Sequence, residues 1–346
     1  MYLLNNAYVK WKNTKSTNFR MMNGVKQGGV LSPTLFAVYL DRLLRQIHTL
    51  GLGCFMGNIY ANAFAYADDV IILSPICSAM RKLIEICEQY SNEFCLSFNP
   101  NKCFLLVFCN RNFDLSHINL QLRNQPIQIV NGSKHLGHFV SSKGSIIQID
   151  EIIREMQVKA NIISNEFHCL TYKARAKIFN SQCLNLYGCG LWNLEDRNLN
   201  NLYKAWRKSS RKILKLHPRT HNELIPSLMD SLPIELVVKE RWLNFFLSGL
   251  RRPQDAIANF FKNSLISSCS YSVSNINILL NELQILYTDI FMLKRNDIRR
   301  KFLMKNHVSR WKVTLLSELL DVREGLSTSN LTMKEVQNII NYICTQ

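Results

Sequence analysis

Two apolar runs flank the adjacent carboxylates of Asp68 and Asp69. The run before them alternates large and small side chains, with Phe64 and Tyr66 on one face and alanines on the other, as in a β-strand. The run after them is apolar at every position, so we expect a second strand that is covered on both faces. Because Asp tolerates the backbone angles of tight turns, the pattern predicts a β-hairpin with both carboxylates at its tip. We expect Phe64 and Tyr66 to pack beneath this hairpin as core residues.

Apolar positions three to four residues apart predict helices along much of the remaining chain. Ser32 followed by Pro33 is typical of a helix start with Ser as the N-cap, and this helix is predicted to end near residue 48. Further helices are predicted over residues 78–95, 148–168, 173–187, 198–216, 235–250, 276–293 and 333–344. Short strands are predicted over residues 104–108, and over 127–130 and 134–140 with a turn at Gly132 between them.

The charge balance indicates a polyanionic partner. The 346 residues include 42 Lys and Arg against 25 Asp and Glu, which gives a net charge of +17. Residues 171–221 alone hold 11 basic and 2 acidic side chains. A charge excess of this kind favours binding to nucleic acid or to an anionic membrane surface.

The cysteines and the lengths of the apolar runs bear on the compartment. The chain has 11 cysteines, an odd and scattered set without a secretory signal, so we expect reduced thiols in an intracellular compartment. The apolar runs are shorter than the ~20 residues of a membrane span, so we expect a soluble chain with no membrane partner.

A zinc site is one alternative that the cysteines raise. Cys183, Cys189, His217 and His221 occur in the order of a zinc module. Zinc ligands, however, usually pair two to four residues apart, and five residues with apolar neighbours separate these two cysteines. The spacing therefore favours buried cysteines and surface histidines.

The Asp-Asp hairpin resembles motif C of a known enzyme family, and an upstream stretch resembles its motif B. That stretch, residues 23–33, contains Gln27, Gly28 and Gly29 immediately before the first long helix. Together the two motifs are similar to those of reverse transcriptases from non-LTR (LINE-type) retrotransposons. Residues 96–108 resemble motif D, and residues 134–140 resemble motif E. Beyond them, residues 191–221 resemble the post-polymerase region of one LINE-type lineage.

The resemblance implies an α+β fold in three parts. Residues 1–145 would form part of a right-hand polymerase palm, with an antiparallel sheet and helices. Residues 146–221 would form a basic helical thumb, and residues 222–346 a helical C-terminal region of unknown role. The implied activity is RNA-directed DNA polymerisation, with an RNA template and a DNA primer as partners.

The resemblance also assigns roles to individual residues. Asp68 and Asp69 would be catalytic and would bind Mg²⁺, which prefers hard oxygen ligands. Lys102 would supply a proton or positive charge to the departing pyrophosphate. Gln27, Gly28, Gly29 and Tyr66 would shape the nucleotide and template pocket, and Leu136 and Gly137 would form the primer grip. The predicted contacts with the nucleic-acid backbone are Lys173, Arg175, Lys177, Arg207, Lys208, Arg211 and Lys212.

One motif of the family has no counterpart in the sequence. Motif A supplies an Asp from an apolar strand upstream of motif B, and residues 1–22 contain no acidic side chain. We therefore expect an N-terminally truncated reverse transcriptase with an incomplete Mg²⁺ site, an unpaired apolar edge at the hairpin, and impaired activity. The alternatives are a non-catalytic RNA- or DNA-binding module and a non-functional relic of a mobile element.

Overall fold

The computed structural model describes residues 6–21, 24–56, 59–109, 114–142, 149–252, 256–266, 271–305, 310–325, 327 and 331–345. Asn23, where the motif B stretch begins, and Gln148, where a helix is predicted to begin, lie outside these ranges. The chain divides into two compact units, one up to Asn131 and one from Gly132 onward.

The first unit combines short strands with two long helices. Its elements are β1 (Asn6–Ala7), β2 (Lys10–Trp11), β3 (Thr14–Lys15), β4 (Phe19–Arg20), α1 (Ser32–Thr49), β5 (Cys54–Met56), β6 (Ile59–Ala61), β7 (Ala63–Tyr66), β8 (Asp69–Ile72), α2 (Cys77–Glu93), β9 (Phe104–Leu105), β10 (Gln121–Leu122), β11 (Gln125–Pro126) and β12 (Gln128–Ile129). Every sheet in the described residues has two strands, and β9 with β12 is a parallel pair.

The core of the first unit forms where α1 and α2 pack against each other and against the β7–β8 hairpin. Leu43 and Ile47 of α1 are fully buried against Leu83 of α2, as the apolar spacing of both helices predicts. Val70 and Ile72 of β8 pack against this cluster from the hairpin side. The hairpin is therefore anchored through one face.

The second unit is mainly helical. Its elements are β13 (Gly132–His135), β14 (His138–Ser141), α3 (Ile149–Glu166), α4 (Tyr172–Gln182), α5 (Leu199–Ile213), α6 (Leu224–Leu228), α7 (Ile234–Leu250), α8 (Ala256–Ile266), α9 (Tyr271–Leu283), α10 (Arg295–Lys305), α11 (Arg310–Arg323) and α12 (Met333–Thr345). Helices on both sides of residue 221 share one core, in which Trp206 of α5 and Leu320 of α11 are buried together. No helix in the described residues is long and apolar enough to cross a membrane.

The α+β character and most helix positions agree with the sequence prediction, but several boundaries were wrong. The helix predicted over 173–187 ends at Gln182, and the one predicted over 276–293 is α9, which ends at Leu283. The strand predicted over 104–108 is confined to β9. Ser32 is the first residue of α1 and not its N-cap.

The motif E strands pair differently from the prediction. Residues 128–129 pair with β9, whereas β13 pairs with β14. The turn therefore lies at Leu136 and Gly137 instead of Gly132. Gly132 lies within β13, where a Cβ would overlap the ring of Phe139.

Candidate active site and nucleic-acid interface

The two carboxylates lie at the tip of a tight antiparallel hairpin, as the sequence predicts. Tyr66 at the end of β7 pairs with Asp69 at the start of β8, so Ala67 and Asp68 form the turn. The residue with positive φ is Ala67 (φ 52°), not either aspartate. The carboxyl groups of Asp68 and Asp69 are exposed on adjacent residues.

The aromatic face of this hairpin is exposed, which contradicts the prediction that Phe64 and Tyr66 are core residues. Phe64 is 52% exposed and Tyr66 is 67% exposed. The core covers the opposite face, where Val70 and Ile72 pack against α1 and α2, while Ile71 on the aromatic face is half-buried. Tyr66 remains accessible to a bound molecule, in keeping with a place in the proposed nucleotide pocket.

The carboxylate pair has donor chemistry that suits Mg²⁺. Mg²⁺ is commonly held by one or two carboxylates, with waters and substrate phosphates completing its octahedral shell. Asp68 and Asp69 supply hard oxygens at an exposed tip, so these residues fit a shared ion. The described residues contain no group of three or more His, Cys, Asp or Glu side chains that could enclose a metal by themselves.

The motif B stretch forms a glycine turn directly before α1. Gly29 N donates to Lys26 O at 3.0 Å, and Gly28 has a φ of 78°, as at the third position of a type II turn. Ser32 Oγ donates to Lys26 O at 2.5 Å and holds the turn against the start of the helix. Gln27 is therefore presented to solvent at the corner of the turn.

Lys102 lies at the end of a short 3₁₀ helix, Pro100–Lys102. The Asn99 side chain caps this turn by accepting from Asn101 N at 3.0 Å, and Lys102 N donates to Asn99 O at 3.0 Å. The backbone of Lys102 is thus fixed while its side chain is exposed. This local geometry fits a cation presented to a phosphate.

The proposed primer-grip residues form the tip of the β13–β14 hairpin in the second unit. Leu136 and Gly137 have φ values of 48° and 78°. Tyr187 braces this tip: its hydroxyl donates to Leu136 O at 3.2 Å, and its ring stacks on His138 at 4.5 Å. Gly188 makes the stack possible, since a Cβ there would overlap the His138 ring. Tyr187 was not predictable from the sequence, because no spacing links it to the hairpin.

The seven predicted backbone contacts divide into two groups, and carboxylates pair with three of them. Arg175 is wrong as a contact: it is 1% exposed, and its guanidinium donates to Glu324 at 2.7 Å and to Ile213 O at 3.1 Å. Arg207 forms an ion pair with Glu235, and the exposed Lys173 pairs with Asp321 at 2.8 Å. Helices that follow the predicted thumb therefore supply carboxylates to the basic run.

The other group includes three cations gathered at one cleft of about 590 Å³ between α3 and α5. Lys208, Arg211 and Lys212 line it from successive turns of α5. Lys212 Nζ donates to the neutral amide of Asn161 on α3 at 2.6 Å, and Arg211 donates to Thr220 O at 2.6 Å. This surface, which we call the α5 cleft, carries concentrated positive charge. Lys177 is exposed on α4 and does not line the cleft.

Two cysteines of the zinc alternative are buried core residues, as the spacing favours. Cys183 and Cys189 are both nearly inaccessible to solvent within the main core of the second unit. Burial raises the pKa of each thiol to about 11, so both side chains are protonated at neutral pH. His221 is exposed and His217 is half-buried.

Comparisons with known proteins agree with these motifs. Residues 1–168 match the family model described as reverse transcriptase (RNA-dependent DNA polymerase). The chain is 36% identical over 89 residues to the Retrovirus-related Pol polyprotein from type-2 retrotransposable element R2DM of Drosophila melanogaster, which covers 26% of this chain and 8% of that protein.

Two further relatives are Pol polyproteins from type-1 retrotransposable element R2. The protein of Nasonia vitripennis is 32% identical over 94 residues, covering 27% of this chain and 9% of its own length. That of Popillia japonica is 25% identical over 215 residues, covering 59% of this chain and 34% of its own length. The chain thus spans at most about a third of the relatives it matches. Residues 1–168 therefore form a region that matches the reverse transcriptase family, and the relatives indicate the type found in non-LTR retrotransposons.

Proposed function

We propose that this chain contributes the catalytic hairpin, the nucleotide-pocket turn and the thumb of an RNA-directed DNA polymerase that copies an RNA template from a DNA primer. The observation that carries the proposal is the exposed Asp68–Asp69 pair at a hairpin tip, within a domain that matches the reverse transcriptase family. A buried or ion-paired carboxylate would serve stability, whereas an exposed pair on a rigid turn can bind a cation.

Within this proposal each element has a separate task. Asp68 and Asp69 hold Mg²⁺, which when bound stabilises the charge on the attacking and leaving oxygens of nucleotidyl transfer. Lys102 presents its Nζ to the pyrophosphate as it leaves, as a proton donor or as a fixed positive charge. The Gln27–Gly29 turn brings backbone close to the nucleotide, since neither glycine carries a Cβ that would block its approach.

The second unit would position the nucleic acid. Leu136 and Gly137 would contact the primer at the hairpin tip that Tyr187 braces. Lys208, Arg211 and Lys212 of the α5 cleft would contact phosphates of the duplex, with Lys177 as a further exposed cation. Arg175 is excluded from this role because it is buried.

We further propose that the isolated chain polymerises DNA poorly. The described residues place only two adjacent carboxylates at the hairpin, and those residues enclose no larger ligand group. Weak occupancy by Mg²⁺ and slow phosphoryl transfer follow from such an open site.

Primer extension on a primed RNA template, with Mg²⁺ or Mn²⁺, tests both parts of the proposal. The matched control is Asp41→Asn, because Asp41 is an acidic residue of the same unit that pairs with Arg45 on α1. We expect weak extension that Asp68→Asn abolishes and Asp41→Asn leaves unchanged. Robust extension by the unaltered chain would overturn the impairment, and extension that survives Asp68→Asn would overturn the catalytic assignment.

The α5 cleft favours a second candidate function, a nucleic-acid-binding module without chemistry. The amide of Asn161 leaves the charge of Lys212 in place, which suits phosphate binding. Salt-dependent binding of an RNA–DNA duplex by a chain that shows no extension would favour this function. Absence of binding at low salt would remove it.

A further inference from the structure

A second cationic cleft, which shares no lining residue with the α5 cleft, lies in the C-terminal part of the chain. It has a volume of about 450 Å³ and lies between α7 and the first turns of α10. Clefts of this size commonly accept small-molecule groups. Leu232 and Val237 give it an apolar portion, and Asn244 and Ser248 supply neutral polar groups.

Four arginines line this cleft, which we call the arginine cleft. Arg241 and Arg251 come from α7 and its C-terminal end, and Arg295 and Arg299 come from one face of α10, four residues apart. Such a spacing brings both α10 side chains to the same surface. Guanidinium groups that line one cleft repel one another, and an anion bound between them relieves that repulsion.

The described lining of the cleft supplies little negative charge to Arg295 and Arg299. Among its described lining residues, Glu240 is the one carboxylate, and its Oε1 lies 3.8 Å from Arg299 Nη1. Glu240 is 6% exposed, so its carboxylate is buried in the protein interior. Arg299 itself remains 61% exposed at the side chain and Arg295 is also exposed, so both can reach a ligand.

An aromatic ring borders the arginines. Phe245 lines the cleft and is 43% exposed, yet its position is fixed. Its ring packs at 5.6 Å against Phe261, and a Cβ at Gly190 would overlap it. A fixed, accessible ring beside cations is the combination that binds unpaired nucleotides, because every base offers a face for stacking.

We propose that the arginine cleft binds one unpaired nucleotide of a single-stranded nucleic acid, with the arginines on its phosphate and Phe245 against its base. Planar guanidinium groups bind phosphate oxygens in pairs. The volume suits a single nucleotide and not a duplex, which requires an extended surface. This site is independent of the hairpin carboxylates and does not require polymerase activity.

The test measures binding of fluorescein-labelled 12-nucleotide single strands of RNA and of DNA to the full chain by anisotropy. Arg295→Gln combined with Arg299→Gln should weaken binding by at least about fivefold and lower the salt slope by about 1. The matched control is Lys294→Gln with Arg300→Gln, which removes two exposed charges of the same region that do not line the cleft. We expect less than a twofold change for the control.

Loss of Arg299 also leaves the buried Glu240 without its partner, which could unfold the chain. Arg299→Lys with Phe245→Leu therefore serves as a second variant. It keeps the positive charge and an apolar side chain, but it removes the planar guanidinium group of Arg299 and the aromatic ring of Phe245. Circular dichroism establishes that each variant is folded. This variant should also weaken single-strand binding by at least about fivefold.

Three outcomes would overturn the proposal. These are an equal loss in the Lys294/Arg300 control, tighter binding of a duplex with the same dependence on Arg295, and complete displacement of the strand by a glutamate-rich peptide of equal charge. Comparing the affinities for the RNA and DNA strands shows which nucleic acid the site prefers, because an RNA-selective site must contact the 2′-hydroxyl.

Discussion

Arg175 on α4 donates a hydrogen bond of 2.7 Å to Glu324, which lies 149 residues further along the chain. The arginine is 1% exposed, and the carboxylate also accepts from Tyr172 N. A charged residue in a segment that resembles a thumb is thus part of the structural core. The pair ties α4 to the end of α11, so the C-terminal region stabilises the basic region.

Replacing Glu324 with Gln should destabilise the second unit strongly. The change leaves the buried guanidinium of Arg175 without a counter-charge, for which a cost of about 3 kcal/mol in the free energy of unfolding is expected. Urea denaturation followed by the fluorescence of the buried Trp206 and Trp242 measures it.

The neighbouring pair provides the control. Asp321→Asn removes the partner of Lys173, whose side chain is 58% exposed, so solvent already screens the interaction. A loss of less than about 1 kcal/mol is expected. Equal effects of the two variants would show that the Arg175–Glu324 pair is not a special buried contact.

The contrast between these pairs shows what the sequence could and could not predict. The hairpin at Asp68 and Asp69 was predictable because a strand pattern and a turn are encoded within a few residues. The burial of Arg175 was not, since its partner lies in a distant helix and nothing near Arg175 distinguishes it from Lys177. From the sequence alone, Arg175 and Lys177 are both predicted to be surface cations.

Exposure and register were the other points that local patterns did not determine. Phe64 and Tyr66 alternate as strand residues should, but the alternation does not say which face is covered, and the core covers the other. At motif E, Gly132 suggested a turn, whereas it is glycine because the Phe139 ring occupies the space of a Cβ. Leu136 takes the turn position although Leu rarely adopts a positive φ.

Gly28→Val should open the turn before α1. The φ of 78° at Gly28 is costly for a β-branched residue, by about 1–2 kcal/mol, whereas Asn tolerates it. Limited trypsin digestion at the exposed Lys26 measures the opening, and mass spectrometry of the products localises the cut. Cleavage should be faster in Gly28→Val than in Gly28→Asn. Equal rates in both variants would mean that the backbone conformation does not depend on glycine.

The buried cysteines should resist alkylation in the native chain. Burial raises the pKa of Cys87 to about 12 and that of Cys183 to about 11, and only the thiolate reacts. At pH 8 iodoacetamide should label the exposed Cys95 and Cys169 first, as peptide mass spectrometry can show. In urea all four should react alike. Native labelling of Cys183 as fast as Cys169 would contradict its burial.

The raised pKa values of Cys87 and Cys183 also determine how the stability of the chain depends on pH. In the unfolded chain these thiols lose their protons near their ordinary pKa of 9, whereas in the native chain they remain protonated. The free energy of unfolding is therefore unaffected by them below pH 9 and falls as the pH rises from 9 toward 11. Cys87→Ala with Cys183→Ala should flatten this fall, and an unchanged pH profile would contradict it.

Lys208→Gln with Lys212→Gln should weaken binding of an RNA–DNA duplex and reduce its salt dependence. Both ammonium groups line the α5 cleft, and Lys212 is held there by the neutral Asn161. Each lost phosphate contact removes about 0.9 from the slope of log K against log salt, so the slope should fall by about 2. Fluorescence anisotropy at several salt concentrations gives both quantities.

The matched control is Lys204→Gln with Lys215→Gln, which removes the same charge from exposed positions on and just after α5. These side chains do not line the α5 cleft, so the control should lower affinity only through long-range attraction and keep most of the slope. The cleft variant should lose affinity equally for duplexes of different base sequence, because phosphate contacts carry no base information. Identical slopes in the two variants would mean that the net charge, and not the α5 cleft, binds the duplex.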